Sequence, residues 1–243
     1  MFKILKKLYL VSILKPKGIY HLICSALLYG ANLMVLIRFS AKLYPNKIAI
    51  AEENETLSYT DLYLQSKQLI IAFKRKFNLG AGRKVAVLCR NHASLVRTLF
   101  AVSGAGADLY LLNVEITTDQ LSTLCDQYQF DLIIFDHEVS ALVNSVFYGH
   151  KAILSSLPSL PSIHFLSEKT PVSAHDKFRK NKAGKIIVLT GGTTGNFKTA
   201  ARQPSFLNFF NCLSALGEWF FRGYYVVERH WSCYHCLLNH PIE

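Results

Sequence analysis

Charged residues are scarce in this 243-residue chain, and acidic residues are fewer than basic ones. Asp, Glu, Lys and Arg together make up 18% of the sequence, whereas hydrophobic residues make up 51%. Such a composition excludes intrinsic disorder as its main property and provides for a sizeable core, in one large or two ordinary domains. Because 27 basic residues outnumber 16 acidic ones, the net charge of +11 favours anionic partners such as a nucleotide, a nucleic acid or an acidic membrane surface.

A disulfide framework and sequence repeats are also lacking. The cysteines are mostly scattered singly through apolar segments. Those in the first 212 residues are interpreted as small buried hydrophobic residues of a protein in a reducing compartment. The six are Cys24, Cys89, Cys125, Cys212, Cys233 and Cys236.

A secretory signal is not indicated at the N-terminus, because the apolar run there is too long and no A-x-A-like site follows it. Residues 1–38 begin with lysines set among large apolar residues, and residues 19–37 then contain no Asp, Glu, Lys or Arg. This run meets the lower length limit of a membrane span. Three interpretations follow: buried or interfacial helices, a membrane-surface anchor, or a span. The predicted location is cytoplasmic, with the surface anchor giving peripheral contact at the inner face of a membrane.

Short apolar segments alternate with helical patterns after Pro45. A strand hairpin is predicted around Asn54. Further strands are predicted at 84–89, 108–113, 131–136 and 186–189, and helices at about 61–77, 92–104, 117–128 and 138–147. This alternation is typical of βαβ crossovers, so the sequence predicts an α/β fold with a mainly parallel sheet and helices on both faces.

Several residues are predicted to begin or end these helices. Thr60 is expected to cap the first of them, with Gly80 and Gly82 at its end. The next helix is expected to end at Gly104 and Gly106.

Two further segments have local signatures. The sequence TTDQ, from Thr117 to Gln120, predicts a capping box at a helix start. Residues 155–184 contain three prolines, several serines and a cluster of basic residues. We interpret this segment as a long exposed connection.

A loop rich in glycine and threonine follows the last predicted strand. Glycine lets successive backbone N–H groups approach an anion, while hydroxyl groups and a lysine add donors and charge. A Walker loop is excluded because Phe197 stands directly before the lysine. The dinucleotide fingerprint is excluded because the GAG triplets at 80–82 and 104–106 precede strands. The candidate phosphate-binding residues are Thr190, Gly191, Gly192, Thr193, Thr194, Gly195 and Lys198.

The sequence LTGGTTGNFK closely resembles the phosphate-binding signature of the adenylate-forming superfamily, which includes acyl-CoA synthetases, luciferases and nonribosomal adenylation domains. It departs from the usual form at Phe197, where that signature has proline. Upstream, TLSYTDLYLQSKQLIIAF and GAGRKVAVLCRN also resemble family segments, so the resemblance covers about residues 37–205. The arrangement is most similar to the fatty acyl-CoA synthetase branch.

The resemblance implies an AMP-forming acyl-CoA synthetase with ATP, Mg²⁺ and coenzyme A as cofactors. In such enzymes a small-molecule carboxylate, here a fatty acid by branch, attacks the α-phosphate of ATP and forms an acyl-adenylate. Coenzyme A then displaces AMP to give a thioester. The loop from Thr190 to Lys198 is expected to hold the β- and γ-phosphates, with magnesium sharing the charge. No nucleic-acid partner is predicted.

The resemblance also divides the chain into three parts. Residues 1–38 form the basic apolar helical segment, 39–210 a partial AMP-binding domain, the incomplete N-terminal part of the family's large domain, and 211–243 an atypical tail. The family's adenine, magnesium, ribose and catalytic-lysine motifs lie after the loop and cannot be assigned here. No catalytic residue is therefore carried over, and we expect this fragment to be inactive alone. Two alternatives remain: a half-domain that binds nucleotide or pyrophosphate without catalysis, and a membrane-associated interaction protein.

The tail has three interpretations of its own. His230, Cys233, Cys236 and His240 have a spacing that a tetrahedral zinc site could use. His235, after an aromatic residue, resembles the aromatic-histidine segment near the family's acyl pocket. The abrupt change in composition also suits a chain that is truncated or leaves its reading frame after Phe210.

Overall fold

A computed structural model describes residues 15–53, 55–147, 152–156, 162–173, 184–190 and 198–202. The first two helices are α1 (Pro16–Tyr29) and α2 (Leu33–Leu43). They divide the apolar run of residues 19–37 at Gly30, whose φ of 80° ends α1, and Asn32, whose side chain caps α2. Among the described residues, no helix is both long and apolar enough to cross a membrane.

The two halves of this run have different surroundings. In α2, Met34, Val35 and Ile37 are buried in the core. In α1, the side chains of Tyr20, Ile23 and Leu27 are more than half exposed. The interpretation as buried helices therefore fits α2, whereas α1 presents an apolar surface.

The predicted hairpin is formed by β1 (Ile48–Ala51) and β2 (Thr56–Ser58), which pair antiparallel. Helix α3 (Tyr59–Phe77) follows directly. The prediction that Thr60 caps this helix is wrong, because Ser58, two residues earlier, is the N-cap and forms a capping box with Asp61. The prediction that Gly80 and Gly82 end it is also wrong, since Asn78 adopts the left-handed conformation after Phe77.

A six-stranded sheet forms the centre of the fold. Its strands are β3 (Lys84–Leu88), β4 (Asp108–Leu111), β5 (Leu132–Phe135), β6 (Ala152–Leu154), β7 (Ile186–Thr190) and β8 (Lys198–Arg202). Their order is β6-β5-β3-β4-β7-β8. The first five run parallel and β8 pairs antiparallel with β7. The predicted mainly parallel α/β sheet is confirmed.

Helices cover both faces of this sheet. The remaining helices are α4 (Ala93–Ala105), α5 (Thr118–Tyr128), α6 (Ser140–Val146) and α7 (Ile163–Lys169), and a 3₁₀ turn (His137–Val139) precedes α6. Successive strand residues alternate between two cores: Val85 and Val87 contribute to one, Ala86 and Leu88 to the other. The first core includes α2, α3, α4 and α7, and the second includes α5 and α6.

Of the two glycines predicted to end α4, only Gly106 does so. Gly106 caps the helix at φ 86°, where a residue with a side chain would be strained. Gly104 instead lies inside the helix. A Cβ at this position would come within 2.5 Å of Ile70 Cδ1 and 2.7 Å of Met34 Cγ, so the glycine allows α2 and α3 to pack closely against α4.

The segment 155–184 is not an exposed connection throughout. Within it, Ser162 caps α7, and Ile163 and Leu166 of that helix are buried against the first core. The capping box at Thr117 and Gln120 is confirmed.

Candidate functional site

The carboxyl ends of the five parallel strands lie along one edge of the sheet. Residues at or just after these ends are Cys89, Leu112, Asp136, Ser155 and Thr190. Because crossover helices start from this edge in a parallel sheet, it is where ligands bind in folds of this kind. The candidate loop therefore begins on the edge that physical reasoning favours for a ligand.

The structure brings the two ends of the predicted phosphate loop together. Thr190 is the last residue of β7 and Lys198 the first of β8, and the two face each other in the antiparallel ladder. The intervening candidates Gly191, Gly192, Thr193, Thr194 and Gly195 lie outside the described residues. The loop is thus a connection within a hairpin, whose ends the sheet holds next to one another.

The start of β7 is fixed by a close backbone approach. A Cβ on Gly184 would lie 1.9 Å from the carbonyl oxygen of Ala107, so a larger residue would push the strand away. The backbone N–H of Lys185 then donates to Asp108 Oδ1 at 2.7 Å, and that of Leu109 donates to the Lys185 carbonyl at 2.8 Å. These contacts set the register that carries Thr190 to the carboxyl edge.

A shallow recess lies beside the end of β7. It is lined by Leu112, Asn113, Glu115, Ile116, Gln120, Leu124 and Leu189. The backbone N–H of Glu115 donates to Asn113 Oδ1 at 3.2 Å and stabilises the turn after β4. The recess adjoins the strand that leads into the candidate loop.

A second polar cluster lies on the same edge, at the ends of β3, β5 and β6. His92 Nε2 is 2.8 Å from Asp136 Oδ1, and Ser155 Oγ donates to the same carboxylate oxygen. The backbone N–H of Arg90 donates to Asp136 Oδ2 at 2.7 Å. Although burial acts to raise it, the hydrogen bonds and the charge contributed by His92, together with Ser155 and Arg90, hold the pKa of Asp136 below its usual value.

Cys89 completes this second cluster. Its Sγ lies 3.7 Å from the carbonyl oxygen of Ile134, and burial followed by the charge of Asp136 raises the pKa of its thiol well above the usual value. The sequence pattern predicts Cys89 only as a buried hydrophobic residue and does not single out His92, Asp136 or Ser155. The available signal was that polar residues follow adjacent parallel strands.

A third cluster surrounds Arg97, inside the helical layer of the first core. Arg97 is fully buried; it forms an ion pair with Glu55 and donates to Ser94 Oγ at 3.2 Å. Its guanidinium also lies 3.4 Å from His164 Nδ1 of α7. This cluster joins the β1–β2 hairpin, α4 and α7. No pattern in the sequence predicts this cluster.

Comparison with known protein families shows which family this architecture belongs to. The family model for AMP-binding enzymes matches residues 37–219, which is more than half of the chain. The chain belongs to the AMP-binding enzyme family. The resemblance found in the loop and in the segments before it is therefore confirmed over most of the described fold.

Individual relatives agree with this membership. Tyrocidine synthase 1 from Brevibacillus parabrevis is 24% identical over 169 residues, covering 70% of this chain and 15% of the relative. A long-chain-fatty-acid–CoA ligase from Thermus thermophilus is 24% identical over 179 residues, covering 68% of this chain and 32% of the relative. The chain thus spans less than a third of the length of these two AMP-binding relatives.

A solved structure shows the same fold. The anthranilate–CoA ligase crystallised with anthranoyl-AMP matches with a TM-score of 0.64 at 15% identity, over 78% of this chain and 36% of the ligase. At that identity the match concerns the fold of an AMP-binding enzyme alone. The predicted N-terminal architecture of an adenylate-forming enzyme is confirmed in this respect.

The donor set of the hairpin fits the phosphates of ATP. Residues 190–198 of the hairpin contain no Asp or Glu, whereas they contain three threonines, three glycines and a lysine. These groups donate to anions, but the segment has no carboxylate for Mg²⁺, which prefers oxygen ligands and usually binds through substrate phosphates as well. Mg²⁺ would therefore reach this hairpin with the nucleotide.

Proposed function

We propose that this chain is the phosphate-binding N-terminal part of an AMP-forming acid–CoA ligase, in which residues 190–198 hold the β- and γ-phosphates of ATP. The observation that carries the proposal is the hairpin at the carboxyl edge, with Thr190 opposite Lys198. Coenzyme A, and a fatty acid as the carboxylate, are part of this proposal and are supported by the resemblance to the fatty acyl-CoA synthetase branch. Peripheral contact of residues 1–38 with the inner face of a membrane stays a prediction.

The hairpin geometry gives the loop a physical role. Antiparallel partners lie about 5 Å apart, so the seven residues between Thr190 and Lys198 must turn back within a short span. Three glycines permit such a turn and allow backbone N–H groups to converge on an anion. In the reaction, these donors would orient the triphosphate so that pyrophosphate leaves in line with the attacking carboxylate.

Lys198→Ala tests the phosphate site directly. We expect this change to weaken Mg·ATP and pyrophosphate binding about tenfold or more, because a charge-assisted hydrogen bond contributes about 1.5–3 kcal/mol. Isothermal titration calorimetry on the full chain measures the affinity. Arg202→Ala is the matched control, since Arg202 pairs with Ile186 at the opposite end of the hairpin and its loss should leave the affinity unchanged. Equal affinities for both variants and the parent chain would contradict the proposal.

Carboxylate-dependent ATP–pyrophosphate exchange separates a ligase from a half-domain that only binds nucleotide. We expect the 243-residue chain to bind pyrophosphate without exchange, and a version continued through the family's adenine, ribose and lysine motifs to catalyse it. Exchange that depends on a fatty acid would support the acyl-CoA synthetase branch. If the continued version binds pyrophosphate but none of the carboxylates tested supports ATP–pyrophosphate exchange, the half-domain alternative is correct.

A further inference from the structure

The first helix presents an exposed apolar face. In α1, the side chains of Ile19, Tyr20, Ile23 and Leu27 are 44%, 63%, 53% and 70% exposed. Residues spaced by four lie on one side of a helix, so Ile19, Ile23 and Leu27 form a stripe, with Tyr20 beside it. We call these four residues the α1 face. The helix is buried on another side, at Gly18, Ser25 and Tyr29.

Basic side chains border the α1 face. Lys17 lies in α1 and Lys42 in the last turn of α2, and both are exposed. Arg38, one turn before Lys42, donates to Ser25 Oγ of α1 at 2.7 Å. This hydrogen bond holds the basic side of α2 next to α1.

The surroundings of His21 show how close these cations lie to the face. Its ring contacts that of Tyr20, with the ring centroids 5.3 Å apart. Burial, followed by the positive charges of Lys17, Lys42 and Arg38, lowers the pKa of His21. The three cations are therefore gathered around a residue that adjoins the α1 face.

Acidic residues are absent from this end of the chain. Residues 1–51 contain eight of the 27 basic residues and none of the 16 acidic ones. An apolar helix face with basic neighbours is complementary to a lipid surface that carries negative charge, because each nearby Lys or Arg is attracted to anionic headgroups. We propose that the α1 face binds an anionic lipid surface, with its apolar side chains at the boundary between headgroups and acyl chains and with Lys17 and Lys42 on the lipid phosphates.

The length of α1 suits a helix that lies along the surface. It has 14 residues, which extend about 21 Å at 1.5 Å per residue, whereas the hydrocarbon core of a bilayer is about 30 Å thick. A second copy of the chain fits the α1 face less well, because the cations beside the two faces would repel each other. Binding at α1 rests on the peripheral membrane contact of residues 1–38 included in the proposed function, and it does not involve the phosphate loop.

Vesicle flotation of the full chain tests the apolar contact. We expect vesicles of phosphatidylcholine mixed with phosphatidylglycerol to bind the chain about tenfold or more tightly than vesicles of phosphatidylcholine alone, and added salt to weaken this binding. Leu27→Asp should weaken binding to the mixed vesicles about tenfold or more, because it places a charge in the apolar boundary. The matched control is Val172→Asp. Val172 is 47% exposed but follows α7, so its replacement should leave binding unchanged.

A second pair of variants tests the charge. Lys17→Ser/Lys42→Ser should weaken binding to the mixed vesicles about tenfold. Lys169→Ser/Lys185→Ser removes the same charge from exposed positions outside α1 and α2 and should have little effect. Equal losses in the two variants would show that only net charge matters and would overturn the proposal. Lys198→Ala should bind vesicles like the parent chain whatever its affinity for ATP, so failure of the phosphate site and failure of the lipid site are distinguishable.

Hydrogen exchange on the unaltered chain removes any dependence on how the variants fold. We expect the mixed vesicles to slow amide exchange in α1 and to leave α4 unchanged. Absence of vesicle binding, equal binding to both kinds of vesicle, or protection confined to residues 211–243 would overturn the proposal. Protection of α1 that rises with protein concentration in the absence of vesicles would assign the α1 face to a second copy of the chain and overturn it as well.

Discussion

Two polar clusters contain residues of α4 that lie within a few positions of each other, and they differ in burial and in partners. Arg97 is completely buried and its partners come from the β1–β2 hairpin and from α7. His92, at the start of the same helix, pairs with Asp136 at a partly open edge of the sheet. The first cluster joins helices and a hairpin inside the protein, and the second gathers titratable groups at a partly solvent-exposed edge of the sheet.

The two clusters differ in how much each contributes to the stability of the fold. A buried guanidinium must keep its partners, because a charge removed from water without them is strongly destabilising. The Asp136 cluster is satisfied by strand ends and a helix start, which any protein with this topology must place on one edge. We therefore expect the Arg97 cluster to dominate stability, and the Asp136 cluster to respond more to pH.

Arg97→Ala should have the largest effect on stability. We expect it to lower the free energy of unfolding by about 3–5 kcal/mol, because it removes a fully buried side chain and leaves Glu55 without its ion-pair partner. Urea denaturation monitored by circular dichroism measures the change.

Arg90→Ala is the matched control for that prediction. Arg90 Nε pairs with Glu138 Oε1 at 2.5 Å, but both side chains are largely exposed. Its loss should lower the free energy of unfolding by less than about 1 kcal/mol. Similar losses in the two arginine variants would abolish the distinction between the clusters.

Asp136→Asn should have an intermediate effect that depends on pH. At neutral pH we expect a loss of about 1.5–3 kcal/mol, because the charged carboxylate accepts several hydrogen bonds. Since the folded-state pKa of Asp136 is lowered, its contribution is complete above the ordinary aspartate pKa of about 3.9 and is lost as the pH falls through the folded-state value.

The measurement is the free energy of unfolding between pH 3 and pH 7 in both proteins. The parent chain should lose stability more steeply toward acid than the asparagine variant, so the gap between them should narrow. A gap that stays constant over this range would show that the carboxylate charge of Asp136 is unimportant for stability.

His92→Ala should have the smallest effect of the three. His92 accepts the Leu95 N–H as the cap of α4, and losing a helix cap lowers the free energy of unfolding by about 1 kcal/mol. His92→Asn should recover much of this loss, since asparagine is a strong capping residue. If asparagine gives no recovery in urea denaturation, the contact with Asp136 and not the cap carries the effect.

Much of the fold could be predicted because its strands are short, apolar and separated by helical patterns. Each described strand of the sheet from β3 to β5 lies within the predicted segment, and so does most of β7. The errors at the helix ends arise where two neighbouring residues could each cap the same helix. Ser58 and Thr60 are both capping residues, and only the geometry of the hairpin decides that Ser58 caps α3 while Thr60 bonds to the Pro45 carbonyl.

Helix α7 was missed for a related reason. It has only seven residues and lies in a segment rich in proline and serine, where local pattern favours a loop. Ser162 followed by apolar residues at Ile163 and Leu166 is nevertheless a helix-start pattern. Its burial comes from contact with α3 and α4, which are distant in sequence.

The part of the candidate site that is continuous in sequence was predictable, whereas the part formed by residues distant in sequence was not. The loop from Thr190 to Lys198 is one continuous motif, so its chemistry can be interpreted directly from the sequence. His92 and Asp136 are 44 residues apart, and they meet only because β3 and β5 are neighbours. Arg97 and Glu55 likewise meet through tertiary packing, which no periodicity encodes.

The order of strands has a consequence for how this protein is made. β4 lies between β3 and β7, yet Leu109 pairs with Ile186, 77 residues later. During synthesis at the ribosome, one edge of β4 therefore stays unpaired until β7 has emerged. The absence of a side chain at Gly184 then lets β7 approach β4 closely. Long-range parallel pairing of this kind is slow and exposes nascent chains to aggregation. The phosphate hairpin joins the carboxyl edge of the sheet only once β7 has paired with β4. Protection of the growing chain against a protease by added nucleotide would therefore mark the point in translation at which the sheet is complete.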